Sequence, residues 1–494
     1  MIDGQILPAA ALDEDQCYRA MQAKDARFDG RFFVCVTTTG IYCRPVCPAR
    51  VPKRENCRFV ASAAAAEGAG FRSCLRCRPE TAPGTPAWAG TGATVSRALR
   101  LIEEGALDDG TVEALASRLG LGERQLRRLL LAHVGAGPAS VAANRRLLTA
   151  KQLISDTQMP LSDVAFAAGY TSLRRFNSAI RNAYGVAPTE IRRTSETQAG
   201  GAIRIRLGYR PPFDFEHVLS YLACRAIPGV ERTSGLRYAR SFDIGGAKGI
   251  LSVEPAPKGH SLDTQVRFFD VDKGVLPVRA IAARLRRLFD LDAEPGAIRA
   301  AFRRDPLIAP RLARMPGLRV PGSFDGFELA IRAVLGQQIS VKGATTIAGR
   351  IVAKFGAPCP ANDEGLTHIF PSAQVLSAAD LSGLGLTGAR MATITSLARA
   401  TASGKIDFTP SASLDASLSA LAALPGIGDW TAHYIALRAA GEPDAFPASD
   451  LGLRKAAGNG VPVSAKVLET MAQAWRPWRG YAALALWTIE GETQ

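Results

Sequence analysis

Residues 424–435 read Leu424-Pro-Gly-Ile-Gly-Asp-Trp-Thr-Ala-His-Tyr-Ile435, and Ala445-Phe-Pro-Ala-Ser-Asp450-Leu451 follows shortly after. One proline and two glycines break an otherwise helical pattern. Gly426 and Gly428 let the backbone approach a phosphate, and the amides that open the next helix face the anion. A bare Gly-x-Gly says little. The whole string, with a carboxylate downstream, points to a phosphate grip placed beside an acid.

The bulk numbers frame that reading. At 494 residues the chain exceeds one hydrophobic core and should hold several domains. Apolar content of 47% and a mean hydropathy of +0.04 describe globular protein. The net charge of +15 attracts polyanions without choosing nucleic acid over a membrane surface. Met1–Gln16 is acidic and lacks an apolar core, so no secretion signal is expected. No run reaches the roughly 20 apolar residues of a membrane span. The expected location is cytoplasmic, with the nucleoid. Nine cysteines there do not make a disulfide frame, and seven of them precede residue 78.

Two Pro- and Gly-rich or polar stretches read as linkers, 81–92 (TAPGTPAWAGTG) and 194–201 (TSETQAGG). Between them the pattern is helix, tight turn, helix, twice over. Val112, Leu115, Ala116 and Leu119 precede Gly120-Leu121-Gly122, and Leu126, Leu129 and Leu130 follow. Val164, Ala165 and Ala168 precede Gly169-Tyr170-Thr171, and Phe176 and Ile180 follow. Two such units suggest reading two successive major grooves. Beyond 201, Ile203–Leu207 and Gln265–Phe269 alternate like strands around a helix at Phe215–Cys224, and from about Val278 the pattern is helical.

In the head, Cys43-Arg-Pro-Val-Cys47 and Cys74-Leu-Arg-Cys77 can supply four thiolates to one tetrahedral Zn²⁺. Cys17, Cys35 and Cys57 lack paired spacing and read as core residues. The stretches Phe33–Cys47, Pro52–Asn56 and Gly70–Cys77 resemble the N-terminal domain of the Ada-type adaptive-response proteins over about residues 10–80. That resemblance implies that Cys43 is both a metal ligand and a sacrificial nucleophile for the methyl group of a DNA methylphosphotriester. Four thiolates around Zn²⁺ carry a net charge of −2, and methylating one leaves −1. Arg44, Lys53, Arg54 and Arg72 would then count for more toward DNA. Removing one charge at ~8 Å is worth roughly 2 kcal/mol at an effective dielectric of about 20.

Residues 93–193 resemble the DNA-binding domain of AraC-type activators, through Pro160–Phe176 and Tyr184–Arg192. Candidate DNA contacts are Arg124, Gln125, Arg127 and Arg128 on the first recognition helix, and Ser172, Arg174 and Arg175 on the second. Ada-type proteins join these two domains in this order. They usually continue into an alkylguanine methyltransferase with a Pro-Cys-His-Arg site. None occurs here, since only Cys224 and Cys359 follow Cys77.

Residues 202–494 instead resemble the inducible 3-methyladenine DNA glycosylase II family of the helix–hairpin–helix superfamily. The matching stretches are Tyr209–Phe215, Phe327–Ser340, Leu424–Leu437, Asp444–Leu451 and Trp475–Trp487. This implies an α/β (TBP-like) subdomain and an all-α body holding a cleft. It places the catalytic carboxylate at Asp450, with Asp429 and Asp444 reading as solvated turn charges, and the base pocket at Trp430, Tyr434, Trp487 and Tyr221. Lyase-type relatives carry a Schiff-base lysine where this chain has Trp430. Many end in a four-cysteine iron–sulfur loop, for which no cysteine remains after Cys359. The expectation is a monofunctional glycosylase without a cluster. The family's gap-filling wedge, a Gln–apolar pair, corresponds to Gln337-Gln338, and an aromatic often found after the acid is Leu451.

The expected organisation is multidomain: a small α/β zinc domain at 1–82 and an all-α double helix–turn–helix domain at 92–194. The α/β subdomain follows at 202–287 and the helical glycosylase body at 288–494. The Gly-ended second linker suggests that regulator and glycosylase halves are independent. Expected partners are alkylated and promoter double-stranded DNA and RNA polymerase, with no membrane and a monomeric state. The competing expectation is a transcription activator whose C-terminal half binds damaged DNA without cleaving it.

Overall fold

The computed structural model describes residues 13–84, 91–193, 202–269, 276–360, 362, 364–409 and 413–490. Linker residues 85–90 and 194–201 lie outside them. The chain divides into two compact units. One holds Met1–Pro211, Pro255–Arg286 and Leu291–Glu294, and the other Pro212–Glu254, Arg287–Asp290 and Pro295–Gln494.

The first unit begins with a four-stranded sheet whose spatial order is Cys57–Val60, Phe33–Val36, Ile41–Cys43, Arg72–Ser73. The first three strands are antiparallel, and the last runs parallel to Ile41–Cys43. Alternation explains the two-sided packing. Val34 and Cys57 meet Cys17 and Phe32 on one face, and Phe33, Cys35 and Tyr42 meet Ala63 and Ala66 on the other. Cys17, Cys35 and Cys57 are thus core residues, and burial pushes the first two thiols up to about 11 and about 12, which leaves them inert.

Both helix–turn–helix units form as read. Thr111 caps Val112–Arg118, and Gly120 at φ +69 makes the turn into Glu123–Val134. Ser172 caps Leu173–Tyr184 after Leu161–Ala167 and Gly169 at φ +90. Between them runs a helix the periodicity does not reveal, Pro138–Asp156. Its buried Asn144 and Lys151 interrupt the apolar stripe.

That helix is also where the head attaches. Lys151 Nζ lies 2.8 Å from Glu80 and 3.3 Å from the Cys74 carbonyl, and Arg78 pairs with Asp156 at 2.7 Å. Ser73 Oγ and Tyr184 Oη are 3.0 Å apart. The same unit reaches past the second linker. Gln152 donates to the Arg206 carbonyl at 3.3 Å, Arg210 to that of Gly84 at 2.5 Å, and Arg279 to Asp108 at 2.5 Å. The independence expected from the linker's composition is not what this unit shows. Strand Ile203–Gly208, paired with Ser261–Phe268, packs with the regulator, through a polar contact distant in sequence.

The second unit opens with helix Phe215–Ala223, capped by Asp214, and an antiparallel meander of Glu231–Ser234, Arg237–Ile244 and Ala247–Pro255. Gly245 and Gly246, both at positive φ, form its hairpin turn. Sequence reading misses this meander because Glu231, Arg240, Ser241 and Ser252 are buried in it and spoil the apolar alternation. Its buried charges are neutralised by the helical body. Arg240 pairs with Glu328 at 2.7 Å, and Arg332 bridges Glu328 and Glu231. Burial alone would raise the Glu231 carboxyl, but Arg332 and Arg240 hold it near about 2 rather than 4.5. A depressed acid contributes stability that is fully present above its unfolded pKa and is lost as pH falls toward about 2. An acid titration followed by tryptophan fluorescence should therefore show this unit weakening below about pH 4.5, the carboxyl's ordinary value. Glu231→Gln should weaken that dependence and cost about 3–5 kcal/mol, because it leaves two guanidiniums short of a counter-charge.

Apart from the short strand pair Ala357–Pro358 and His368–Ile369, the rest of this unit is helical around Gly326–Leu335, whose Phe327, Ala330, Ile331 and Val334 sit in its core. Among the described residues no helix is long and apolar enough to cross a membrane.

Candidate functional site

The hairpin turn delivers the site. Gly426 sits at φ +78, and a Cβ there would meet Thr393 Oγ1 at 2.0 Å, so only glycine fits. A Cβ on Gly428 would meet nothing within 4 Å, which leaves that side of the turn open to an approaching group. Helix Asp429–Arg438 starts there and carries Trp430, Tyr434 and Arg438 at successive turns of one face.

The four aromatics expected in the pocket come together. Trp430 stacks on Tyr434 at 5.1 Å and 13°. Trp487 meets Tyr434 edge-on at 6.5 Å. The hydroxyls of Tyr221 and Tyr434 are 3.0 Å apart. Asp450 closes the group. It caps helix Leu451–Ala457, with Oδ1 accepting from Leu453 N at 2.9 Å and from Trp487 Nε1 at 3.0 Å. Its Oδ2 accepts from Trp430 Nε1 at 2.7 Å. The acid is thus oriented by two indoles, and the indoles by the acid.

The alternative carboxylates fall elsewhere. Asp429 is exposed, with a side-chain accessibility of 70%. Asp444 departs from the solvated charge expected of it. It pairs with buried Arg479 at 2.9 Å and with Arg476, because the Trp475–Arg479 stretch folds back onto it.

The expected wedge pair separates. Gln337 turns inward, donating to the Gly426 carbonyl and to Thr431 Oγ1, both at 3.0 Å. Gln338 is exposed at φ +59, beside Ile339, which is 36% exposed. Gln338 and Ile339 thus open an exposed stretch that Gln337 does not share. Gln337→Ala should loosen the hairpin and weaken duplex binding by roughly 5- to 10-fold, the effect of about 1–1.5 kcal/mol for one lost hydrogen-bonding brace. Fluorescence anisotropy with a short duplex measures it.

Sequence reasoning missed two cations. The Arg225 guanidinium lies 3.9 Å from the Tyr221 ring centroid, and that of Arg438 lies 4.6 Å from it. Burial would push both phenols up. Tyr434 does rise to about 12, whereas Arg438 and Arg225 hold Tyr221 below the ordinary tyrosine range. The i, i+4, i+8 spacing of Trp430, Tyr434 and Arg438 was the available signal for Arg438.

In the head, the Sγ atoms of Cys43, Cys47, Cys74 and Cys77 all lie within 4.8 Å of one another. A tetrahedral Zn–S₄ centre needs edges of about 3.8 Å, from bonds of about 2.3 Å, so the donor set fits that ion. Cys74 and Cys77 are buried, while Cys43 and Cys47 are partly exposed. Of the four basic residues expected to face DNA, Arg44 is turned inward, bonded to Asp29 and to Thr81 Oγ1 at 2.6 Å. Arg54 pairs with Glu14 at 2.7 Å, and Lys53 and Arg72 are exposed.

On the recognition helices Arg124, Gln125, Arg127, Arg128, Arg174 and Arg175 are exposed. Ser172 is half-buried, and its Oγ accepts the Arg175 amide at 3.3 Å as a helix cap.

Comparison with known proteins follows the same division. Residues 16–80 match the metal-binding domain of Ada, and 115–194 a helix-turn-helix domain. Residues 204–325 match the AlkA N-terminal domain, and 331–480 the HhH-GPD superfamily of base excision DNA repair proteins. The chain is 45% identical over 96% of its length, and 96% of the other, to a probable bifunctional transcriptional activator/DNA repair enzyme AlkA of Mycobacterium tuberculosis. It is 34% identical to DNA-3-methyladenine glycosylase 2 of Escherichia coli, over 58% of this chain and 97% of that one. A 3-methyladenine DNA glycosylase from Archaeoglobus fulgidus shares the fold, at TM-score 0.51 and 21% identity, over 59% of this chain and 99% of that one.

Proposed function

Because the chain belongs to the family of AlkA-type bifunctional transcriptional activators and DNA repair enzymes, we propose how its residues divide that work. Asp450 is the electrostatic partner of N-glycosidic cleavage in a monofunctional glycosylase, and Cys43 is the methyl acceptor of the regulatory half. The observation that carries the first part is the clamp on Asp450, whose two oxygens are fixed by the indoles of Trp430 and Trp487 beside the hairpin.

The steps follow from the residues. Backbone amides after Gly428 hold a DNA phosphate. The damaged base leaves the stack and lies against Tyr221, Trp430, Tyr434 and Trp487, while Gln338 enters the space it vacates. The C1′–N bond breaks with its electron pair going to the base. Positive charge grows on the sugar, where the Asp450 carboxylate stabilises it, and water completes the hydrolysis. The pocket walls are indoles and phenols, none of which forms a Schiff base.

In the regulatory half, Zn²⁺ held by Cys43, Cys47, Cys74 and Cys77 would keep the thiols ionised at neutral pH. Cys43 Sγ attacks the methyl carbon of a phosphotriester, the S–CH₃ bond forms, and the C–O bond breaks to release a phosphodiester anion. With one negative charge fewer in the head, Lys53 and Arg72 attract the duplex more strongly. The recognition helices then hold promoter DNA for RNA polymerase in the cytoplasm.

Methylated duplex DNA incubated with the chain should yield free 3-methyladenine and an abasic strand that stays unbroken until alkali is added. Strand breakage without alkali would contradict the monofunctional reading. Binding without release would favour a damage binder. Operator affinity should rise more than tenfold after methylation of Cys43, the effect of roughly 2 kcal/mol, and equal affinities would remove the switch.

A further inference from the structure

The pocket carries a carboxylate at one end and two cations without counter-ions at the other. Arg438 is 2% exposed. Its guanidinium carbon lies 4.6 Å from the ring centroid of Tyr221, 5.6 Å from that of Tyr434 and 5.9 Å from that of Trp487. Its Nη1 donates to the Pro321 carbonyl at 2.6 Å, and its Nε has no partner. Arg225, at the end of the Phe215–Ala223 helix, lies 3.9 Å over Tyr221 and donates to the Tyr221 carbonyl at 3.3 Å. Neither pairs with a carboxylate among the described residues. Asp450 stands at the Trp430 end of helix Asp429–Arg438. Trp430 and Arg438 are eight residues apart on that helix, which is about 12 Å at 1.5 Å per residue.

We propose that Arg438 and Arg225 determine the charge specificity of the excision. They drive positive charge from the flipped base toward the sugar, and so extend cleavage to neutral purines as well as cationic ones. The inference rests on the glycosylase reading of Asp450. When the C1′–N bond breaks, the base gains its electron pair. A cationic base leaves neutral, and a neutral base leaves as an anion that then takes a proton from water. In both cases the base end becomes one unit more negative and the sugar end one unit more positive. A field running from the two guanidiniums to Asp450 favours that displacement. The same field opposes the initial seating of a cationic base, because the outer side of Tyr221 already faces two guanidiniums. A neutral base meets no such penalty.

The test uses the full chain under single-turnover conditions, with duplexes carrying one 7-methylguanine (cationic below neutral pH) or one hypoxanthine as the neutral probe. Arg438→Met should lower the maximal rate on hypoxanthine roughly a hundredfold, the lower end of what loss of one preorganised donor costs, at an unchanged half-saturating enzyme concentration. On 7-methylguanine the maximal rate should also fall, but half-saturation should move to lower concentration, so the rate at limiting enzyme changes little. Arg438→Lys should restore most of the hypoxanthine rate. Arg225→Met, at a half-exposed position, should shift both substrates in the same direction as Arg438→Met and remains informative if the buried variant does not fold. Equal losses on both substrates at limiting enzyme, or no rescue by lysine, would overturn the inference while leaving the glycosylase reading intact. A wild-type chain that releases neither base would overturn that reading itself.

Discussion

Asp450→Asn is expected to slow single-turnover release of 3-methyladenine about a thousandfold while leaving duplex affinity and thermal stability nearly unchanged. A unit negative charge ~4 Å from a developing sugar cation, at an effective dielectric of about 20, is worth about 4 kcal/mol, or three powers of ten in rate. The fold should tolerate the change because asparagine caps a helix about as well as aspartate, so the bond to Leu453 N survives. What asparagine cannot do is accept from both indoles. One oxygen can serve Trp430 or Trp487, and the amide N–H₂ then opposes the other indole N–H. The variant should therefore also show altered tryptophan emission with only a small fall in melting temperature. A loss smaller than about tenfold would be too small for a unit charge at contact distance and would remove Asp450 from its assigned role.

Metal removal should have the largest effect on stability. A structural thiolate–zinc site contributes roughly 10–16 kcal/mol, more than a small domain's whole stability. Treatment with a strong chelator should therefore make residues 13–84 sensitive to protease, with release of one zinc ion per chain. The damage should spread into the middle of the chain. Lys151 is buried and bonded to Glu80 and to the carbonyl of Cys74, itself one of the four cysteines. Losing the head leaves that ammonium without its partner, a further cost of about 3–5 kcal/mol to the Pro138–Asp156 helix. Thermal melting should show the first unit's transition lost or lowered while the second unit's is unmoved. A head that resists protease after chelation would argue that its two small hydrophobic clusters suffice alone.

What could be read ahead of the structure was local. Gly426, Gly428 and the helix after them follow from a dozen consecutive residues, as do the two helix–turn–helix units with their Thr111 and Ser172 caps. The four pocket aromatics came from resemblance, since nothing in their spacing says that Tyr221 will reach Tyr434 across 213 residues. Long-range polar pairing escaped altogether. Arg44 looks like a DNA-facing arginine until Asp29 and Thr81 are seen to enclose it. Gln337 looks like part of a wedge until it is found bonded to the Gly426 carbonyl. The meander and the Pro138–Asp156 helix were hidden for one reason: each buries charged or polar side chains that a hydrophobic pattern counts as solvent-facing.

The way Asp450 is held has a consequence for a chain still being made. Its carboxylate is oriented by Trp430, 20 residues before it, and by Trp487, 37 residues after it. A ribosome exposes the Gly426–Gly428 hairpin and Asp450 before it exposes Trp487. A product stopped between Asp450 and Trp487 therefore keeps the hairpin while its acid lacks one of two restraints. Full restraint of the acid therefore waits on helix Arg479–Glu490, and on the proposed reading a chain stopped before Trp487 should release bases more slowly than the intact one.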